Sequence, residues 1–330
     1  MKMKIIVDAF GGDNAPLEIL KGSCLAVEEL GVDILLVGDE AKIRKCAQEN
    51  SVNISGMEIL QADKVFEMEY DPRSIMKEHA DTSLAVGMNA LVEGKGDAFV
   101  SAGSTGAIVV GATFIVKRIK GVKRAAIASI MPSQKGPFML LDCGANVECK
   151  PEHLCQFASM GSIYMKNIMG VENPQVGIAN IGVEPNKGTQ LQLDTYEMLK
   201  DSDLNFIGNA EVRDIAYGAG DVIVADGFTG NVILKMYEGV AGALSKRIKG
   251  VFKKNVISMI SYLGVKKGMD DFKSSMDYKE YGGAVLLGVK QPVIKAHGSS
   301  DARAFKNAIR QAVGCVNKNV IGQITENIGE

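Results

Sequence analysis

Short apolar runs alternate with stretches of helical spacing along nearly the whole chain. The runs at 4–8, 33–37, 97–101, 138–142, 175–180, 205–208 and 221–225 read as strands, and many end in a cluster of Gly, Asn or Asp. Between them, 16–30, 151–169 and 189–200 repeat apolar residues at intervals of three and four, the period of a helix with one buried face. Near the end, Pro292-Val293-Ile294 reads as one more short strand and 302–320 as a final helix. Apolar strands followed in turn by helices predict a largely parallel sheet covered on both faces, an α/β fold. No Pro/Ser-rich linker, low-complexity tract or internal repeat divides the chain. The expectation is a single α/β unit over 1–330, with room for two lobes sharing a sheet.

Composition adds little until charge is mapped by position. Of 330 residues, 46% are hydrophobic and 23% charged, which supports a folded core and excludes a disordered chain. Lys+Arg 37 against Asp+Glu 39 gives a net charge of −2, with no sign of a nucleic-acid partner. That near-balance hides a basic segment. Between 235 and 267 lie Lys235, Lys246, Arg247, Lys249, Lys253, Lys254, Lys266 and Lys267, with Glu238 the only acid. The segment carries +7, so the rest of the chain carries −9. Its apolar residues begin on one helical face, and the polar face thins around Ile257, Ile260 and Leu263. The pattern predicts a projecting amphipathic basic helix over 235–267. It suits an anionic bilayer surface, an acidic protein partner or a second subunit.

Six Cys are too sparse for a disulfide scaffold, and the first residues run into a strand without a secretory apolar core. A cytoplasmic chain with reduced thiols is expected. Cys143, Cys149 and Cys155 are spaced too widely for a zinc pair, and His79, His153 and His297 are the only histidines. No metal and no cofactor are expected. A dinucleotide G-x-G-x-x-G, a Walker P-loop and a G-x-S-x-G nucleophile elbow are all missing.

Four glycine-rich turns follow strands, at 8–16, 101–107, 142–146 and 226–231. A helix start leaves unpaired N–H groups and a partial positive charge, so each turn is able to face an anion. The fourth is best equipped. Gly227 and Gly230 allow close approach, Thr229 and Asn231 add donors, and Lys235 lies one turn into a helix expected to begin at Val232. The other reading stays open, because turns between strand and helix need Gly and Asn for their dihedral angles alone. Later, Lys295, His297, Ser299 and Ser300 arrive together before the last helix, with Ser300 a plausible N-cap. His297 is open to a functional or a structural reading. His79 is expected to be solvated and His153 structural.

The stretches 8–16, 101–107, 144–154, 180–182, 226–232, 276–283 and 295–301 together resemble, in order and over essentially the whole chain, the bacterial phosphate acyltransferases of phospholipid synthesis, the PlsX family. The resemblance implies a three-layer α/β/α, isopropylmalate-dehydrogenase-like fold and a homodimer. It implies reversible transfer of a fatty acyl group from acyl carrier protein to inorganic phosphate. The acyl phosphate would pass to a membrane glycerol-3-phosphate acyltransferase. The chain departs from the family pattern at Phe10, Asn14 and Ser104, and in the 183–190 loop that holds Lys187. On this reading Gly227, Thr229, Gly230, Asn231 and Lys235 bind phosphate, and Lys295 or His297 stabilises the oxyanion or protonates the leaving thiolate. Asn146 and Asn180 join the catalytic set. Asp8, Gly11, Gly12, Asp13, Gly103, Ser104, Thr105, Gly106, Lys187 and Ser299 line the crevice. Lys253, Lys254, Ile257, Ile260 and Leu263 mark the membrane or dimer helix. The chemistry needs no triad: phosphate is already an anionic nucleophile, and a thiolate of pKa roughly 8.5 leaves readily. A coenzyme-A-dependent phosphotransacetylase, or a non-catalytic membrane-associated regulator of lipid synthesis, remains the alternative.

Overall fold

The computed structural model describes residues 2–275 and 281–328, without the side chains of 256, 260, 270, 271 and 273–275. Most of the 276–283 motif and the side chain of Ile260 therefore lie outside the described residues. In chain order the strands are β1 (Lys4–Asp8), β2 (Asp33–Gly38), β3 (Glu58–Gln61), β4 (Ala98–Ser101), β5 (Ala126–Met131), β6 (Phe138–Leu141), β7 (Val176–Asn180), β8 (Phe206–Glu211), β9 (Val222–Val224), β10 (Ala284–Leu287) and β11 (Val293–Lys295). The helices are α1 (Leu17–Leu30), α2 (Glu40–Glu49), α3 (Ser83–Val92), α4 (Thr105–Gly111), α5 (Pro151–Ile168), α6 (Gln190–Lys200), α7 (Val212–Ile215), α8 (Gly227–Phe252), α9 (Val256–Ser275), α10 (Ala302–Asn317) and α11 (Val320–Ile328).

All these strands form one sheet in the order β3-β2-β1-β4-β11-β10-β5-β6-β9-β7-β8. The block β3-β2-β1-β4-β11 is parallel, and so is β6-β9-β7-β8. Between them the pairs β11/β10, β10/β5 and β5/β6 are antiparallel. Three reversals are an odd number, so the two parallel blocks run in opposite senses. The sheet is the middle of three layers. One face packs a core that includes Ile19, Phe157, Phe305 and Ile324, from α1, α5, α10 and α11. The other packs Leu84, Ile108, Phe99 and Leu140, with Leu234 and Tyr237 of α8 at its edge.

The predicted strands are all present, and β3, β5 and β10 are additions. β5 and β10 escape a strand-then-helix reading because neither leads into a helix; they pair antiparallel at the centre. Strand ends move by one to three residues, most at β8, expected over 205–208 and found over Phe206–Glu211, and larger changes follow. The last helix ends at Asn317, because Asn319 adopts a left-handed φ of 46° before α11 begins. Its N-cap is Asp301, whose carboxylate accepts the Ala304 amide at 2.9 Å, whereas Ser300 Oγ donates to the His297 carbonyl at 2.6 Å. The fourth glycine turn is itself the first turn of α8. The basic segment 235–267 divides between α8 and α9 instead of forming one helix. His79 is not simply solvated: its ring stacks on Tyr70 at 3.9 Å and its Nδ1 lies 2.7 Å from Ser74 Oγ.

Candidate active site

Two buried carboxylates organise the turns around the central strands. At the end of β1, Asp8 accepts Ser83 Oγ and Ser101 Oγ, each at 2.7 Å, and the Phe10 amide at 3.2 Å. Ser101 Oγ in turn accepts the Gly103 amide at 3.0 Å. Burial pushes the Asp8 carboxyl above its ordinary range, against the pull of these bonds. Gly11 fits because a Cβ there would stand 2.7 Å from both Asp8 Oδ2 and the Gly103 nitrogen. The Asp13 amide donates to the Gly298 carbonyl (2.8 Å) and Asn14 Nδ2 to the Ser300 carbonyl (3.2 Å). The first glycine turn thus holds the turn that carries His297. There the Ser299 amide donates to His297 Nδ1 (3.2 Å), so the neutral ring carries its proton on Nε2.

The second carboxylate, Asp142, follows β6. Its Oδ1 accepts the amides of Ile127 (2.9 Å) and Ala145 (3.1 Å); its Oδ2 accepts the Asn146 amide (2.7 Å) and Asn146 Nδ2 (2.9 Å). Asn146 Nδ2 also donates to the Ala125 carbonyl at 2.7 Å. The first turn of α8 is packed on this turn. The Gly227 amide donates to the Asn146 carbonyl at 2.7 Å, and a Cβ on Gly230 would overlap the Asp142 carbonyl oxygen. Asp226 caps the helix, accepting the Thr229 amide (2.9 Å) and Thr229 Oγ1 (2.7 Å).

From that seat α8 crosses the sheet, and Tyr237 Oη bonds to the Pro132 carbonyl at 2.6 Å. A cleft of about 280 Å³ lies under it, over the antiparallel centre of the sheet. Thr105 and Gly106 form one side; Asn231, Leu234, Lys235 and Glu238 of α8 form another. Ile127, Ser129 and Met131 line it from β5, Gly282 and Gly283 from the approach to β10, and Lys295 and His297 from β11 and its turn. Register explains the meeting of β11 with β5: Lys295 pairs with Ala284, and Ala284 pairs with Ser129, so the three share one face.

The charges in the cleft are uneven. Lys235 Nζ lies 3.2 Å from Glu238 Oε2. Lys295 is brought down to about 8, chiefly by burial and next by the charge of Lys235, with Glu238 and then Asp13 acting the other way. Burial pushes the Cys143 thiol up, so it supplies no thiolate nucleophile at neutral pH. The cleft offers ammonium groups beside an apolar wall.

The cleft gathers six of the residues singled out from the sequence: Thr105, Gly106, Asn231, Lys235, Lys295 and His297. A neighbouring hollow of about 210 Å³ gathers Asp8, Gly11, Gly12, Asp13, Gly103 and Ser104, against Phe10, Phe66 and Leu84. The others serve elsewhere. Asn146, Gly227 and Gly230 build the second corner, and Thr229 is bonded to the cap. Asn180 Nδ2 holds the Lys187 carbonyl at 3.0 Å, while the Lys187 side chain is exposed. Ser299 stands behind His297. Glu238, Ser129 and Leu234 were not singled out. Glu238 carries a signal in the sequence, as the lone acid in a basic segment; Ser129 and Leu234 carry none, because their place depends on the pairing of β5 and the path of α8.

Beyond the cleft α8 is largely exposed, with Phe228, Val232, Met236, Val240 and Leu244 in a stripe at every fourth position. A larger hollow, about 710 Å³, opens between α8 and α9 beside Lys253, Met259, Tyr262 and Leu263. Lys254, Ile257 and Leu263 are exposed on this hairpin. No helix among the described residues is long and apolar enough to cross a membrane, and none of their His, Cys, Asp and Glu side chains cluster as a metal site.

The fold is similar to that of phosphotransacetylases. The EutD phosphotransacetylase from Staphylococcus aureus aligns with TM-score 0.61 and 18% identity, covering 96% of this chain and 94% of that one. A phosphotransacetylase from Streptococcus pyogenes aligns with TM-score 0.63 and 16% identity, covering 97% and 94%. At these identities the likeness concerns the fold. Sequence is more specific. A family model described as fatty acid synthesis protein matches residues 3–323. The phosphate acyltransferase of Clostridium novyi is 45% identical over 327 residues, 99% of this chain and 98% of its own length. That of Thermoanaerobacterium thermosaccharolyticum is 44% identical over 326 residues, 99% and 97%. The chain belongs to this fatty acid synthesis protein family of phosphate acyltransferases.

Proposed function

We propose that the cleft under α8 transfers a fatty acyl group from acyl carrier protein to inorganic phosphate, producing acyl phosphate for phospholipid synthesis. The observation that carries this reading is the pairing of Lys235 and the half-buried Lys295 with an apolar wall in one cleft. A phosphate dianion suits the ammonium groups and an acyl chain suits the wall. The reaction balances without a cofactor. An oxygen of hydrogen phosphate attacks the thioester carbonyl, the C–O bond forms, the C–S bond breaks, and the phosphate proton ends on sulfur. Lys235 and Asn231 hold phosphate. Lys295, whose pKa is brought down to about 8, stabilises the oxyanion and relays that one proton, giving its own to the thiolate and taking the phosphate proton in return, with His297 Nε2 beside it. Much of the rate comes from holding two reactants in line.

The exposed stripe of α8 pairs with a second copy in a homodimer on this reading. The basic, apolar tip of the α8/α9 hairpin rests on the anionic inner face of the cell membrane, delivering product to a membrane glycerol-3-phosphate acyltransferase. One experiment with anionic vesicles present tests both halves. Phosphate-dependent release of free carrier protein, with acyl phosphate formed and the enzyme floating with the vesicles in a salt-sensitive way, is expected. Turnover only with coenzyme A esters would favour the phosphotransacetylase alternative. No turnover but retained flotation would favour a regulator.

A further inference from the structure

Glu238 is out of place in a cleft that receives a dianion. It is the lone acid of the basic segment, its side chain is 15% exposed, and it lines the same cavity as Lys235 and Lys295. We propose that Glu238 is a built-in competitor for the phosphate site: its carboxylate holds Lys235 in the ligand-free enzyme, yields it when phosphate enters, and by its charge keeps phosphate and the acyl phosphate product from binding tightly. This inference rests on the functional reading above.

The two partners differ in freedom. Lys235 is 59% exposed at its side chain and Glu238 only 15%, so the cation has open solvent to turn into while the anion sits in the cleft wall. An ion pair with one half-solvated partner contributes little, and Lys235 leaves it readily for a doubly charged ligand. The carboxylate stays behind, within range of the incoming charge. That is useful for turnover. Substrate phosphate and product acyl phosphate are both anions at one place, and uniform tight binding of both would slow release without lowering the barrier. The charged and titratable groups around Glu238 are Lys235 on its own helix, Lys295 and His297 from β11 and its turn, and the Cys143 thiol from beyond β6. Asp13 acts on Lys295 from the first glycine turn. Before phosphate arrives, Glu238 also favours the charged form of Lys295.

The test is Glu238→Gln, with Lys235→Ala in parallel, read by calorimetric titration with inorganic phosphate and by steady-state kinetics across pH. Glu238→Gln is expected to bind phosphate about three- to tenfold more tightly, an effect of a single nearby charge at the high effective dielectric of a cleft. The KM for phosphate falls, the KM for the acyl donor does not, and the basic limb of the pH profile moves to lower pH. Glu238→Asp restores weaker phosphate binding. If Glu238→Gln misfolds, Glu238→Ala carries the same expectation. Unchanged or weaker phosphate binding by the neutral variant, while Lys235→Ala weakens it, overturns the competitor role alone. Unchanged binding in both variants overturns the phosphate reading of the cleft with it.

Discussion

Asp8 closes β1 and Asp142 follows β6, and each is a carboxylate buried where a strand gives way to a glycine turn. Their partners differ. Asp8 is held largely by the hydroxyls of Ser83 and Ser101, which rotate, while Asp142 is held by three backbone amides, which do not, and by an Asn146 side-chain amide tied at its other hydrogen to the Ala125 carbonyl. The first corner holds the turn of His297, through the Asp13 amide and Asn14 Nδ2. The second is the fixed seat of α8, and through α8 it fixes Asn231, Lys235 and Glu238 over the sheet. Rigidity is placed where one error would displace a whole helix.

The hardest way to break the second corner is Gly230→Ala. The new methyl, fixed in place by its own backbone, would overlap the Asp142 backbone carbonyl oxygen, and no side-chain rotation relieves it. A loss of about 3 kcal/mol or more in unfolding free energy is expected, measured by denaturant titration. A loss below about 1 kcal/mol would mean that α8 is free to lift off its seat and that the second corner does not fix it.

A paired change reads the contrast directly. Asp142→Asn turns an NH2 toward amides that only donate, so at least one buried N–H loses its acceptor; about 2–4 kcal/mol is expected. Asp8→Asn keeps one oxygen for the Phe10 amide and lets Ser83 or Ser101 turn to accept, at a cost of about 1 kcal/mol. Equal losses in thermal or denaturant unfolding would remove the distinction between the corners.

The same contrast separates what is legible in the sequence from what is not. β1, β2, β7 and β9 announce themselves as apolar runs ahead of a turn. β5, Ala-Ile-Ala-Ser-Ile-Met, carries Ser129 in its middle and pairs with distant β10, so its place depends on contacts that no local pattern records. Lys235, Asn231, Lys295 and His297 were visible as chemistry gathered after strands. Gly227, Thr229 and Gly230 were visible too, but a glycine that admits a ligand and a glycine that admits another turn of backbone look alike in sequence. Here Gly227 and Gly230 admit backbone. Glu238 stood out by composition, yet its direction follows only from the seat of α8.

The smallest expected effect concerns Lys295, which lies between the corners and is charged from both sides: by Glu238 on α8 and by Asp13 on the first glycine turn. In the proposed role Lys295 donates to the thiolate from its protonated form, so activity is expected to fall as pH rises through about 8. Asp13→Asn removes a negative charge, makes the protonated lysine less favourable and moves that limb to lower pH. Glu238 acts more strongly on Lys295 than Asp13 does, so the shift should be smaller than for Glu238→Gln, roughly half a pH unit or less. A pH profile of kcat/KM at fixed phosphate checks both order and sign. A larger shift from Asp13→Asn than from Glu238→Gln would place Lys295 under the control of the first corner, and an upward shift would remove Asp13 as a stabiliser of its charge.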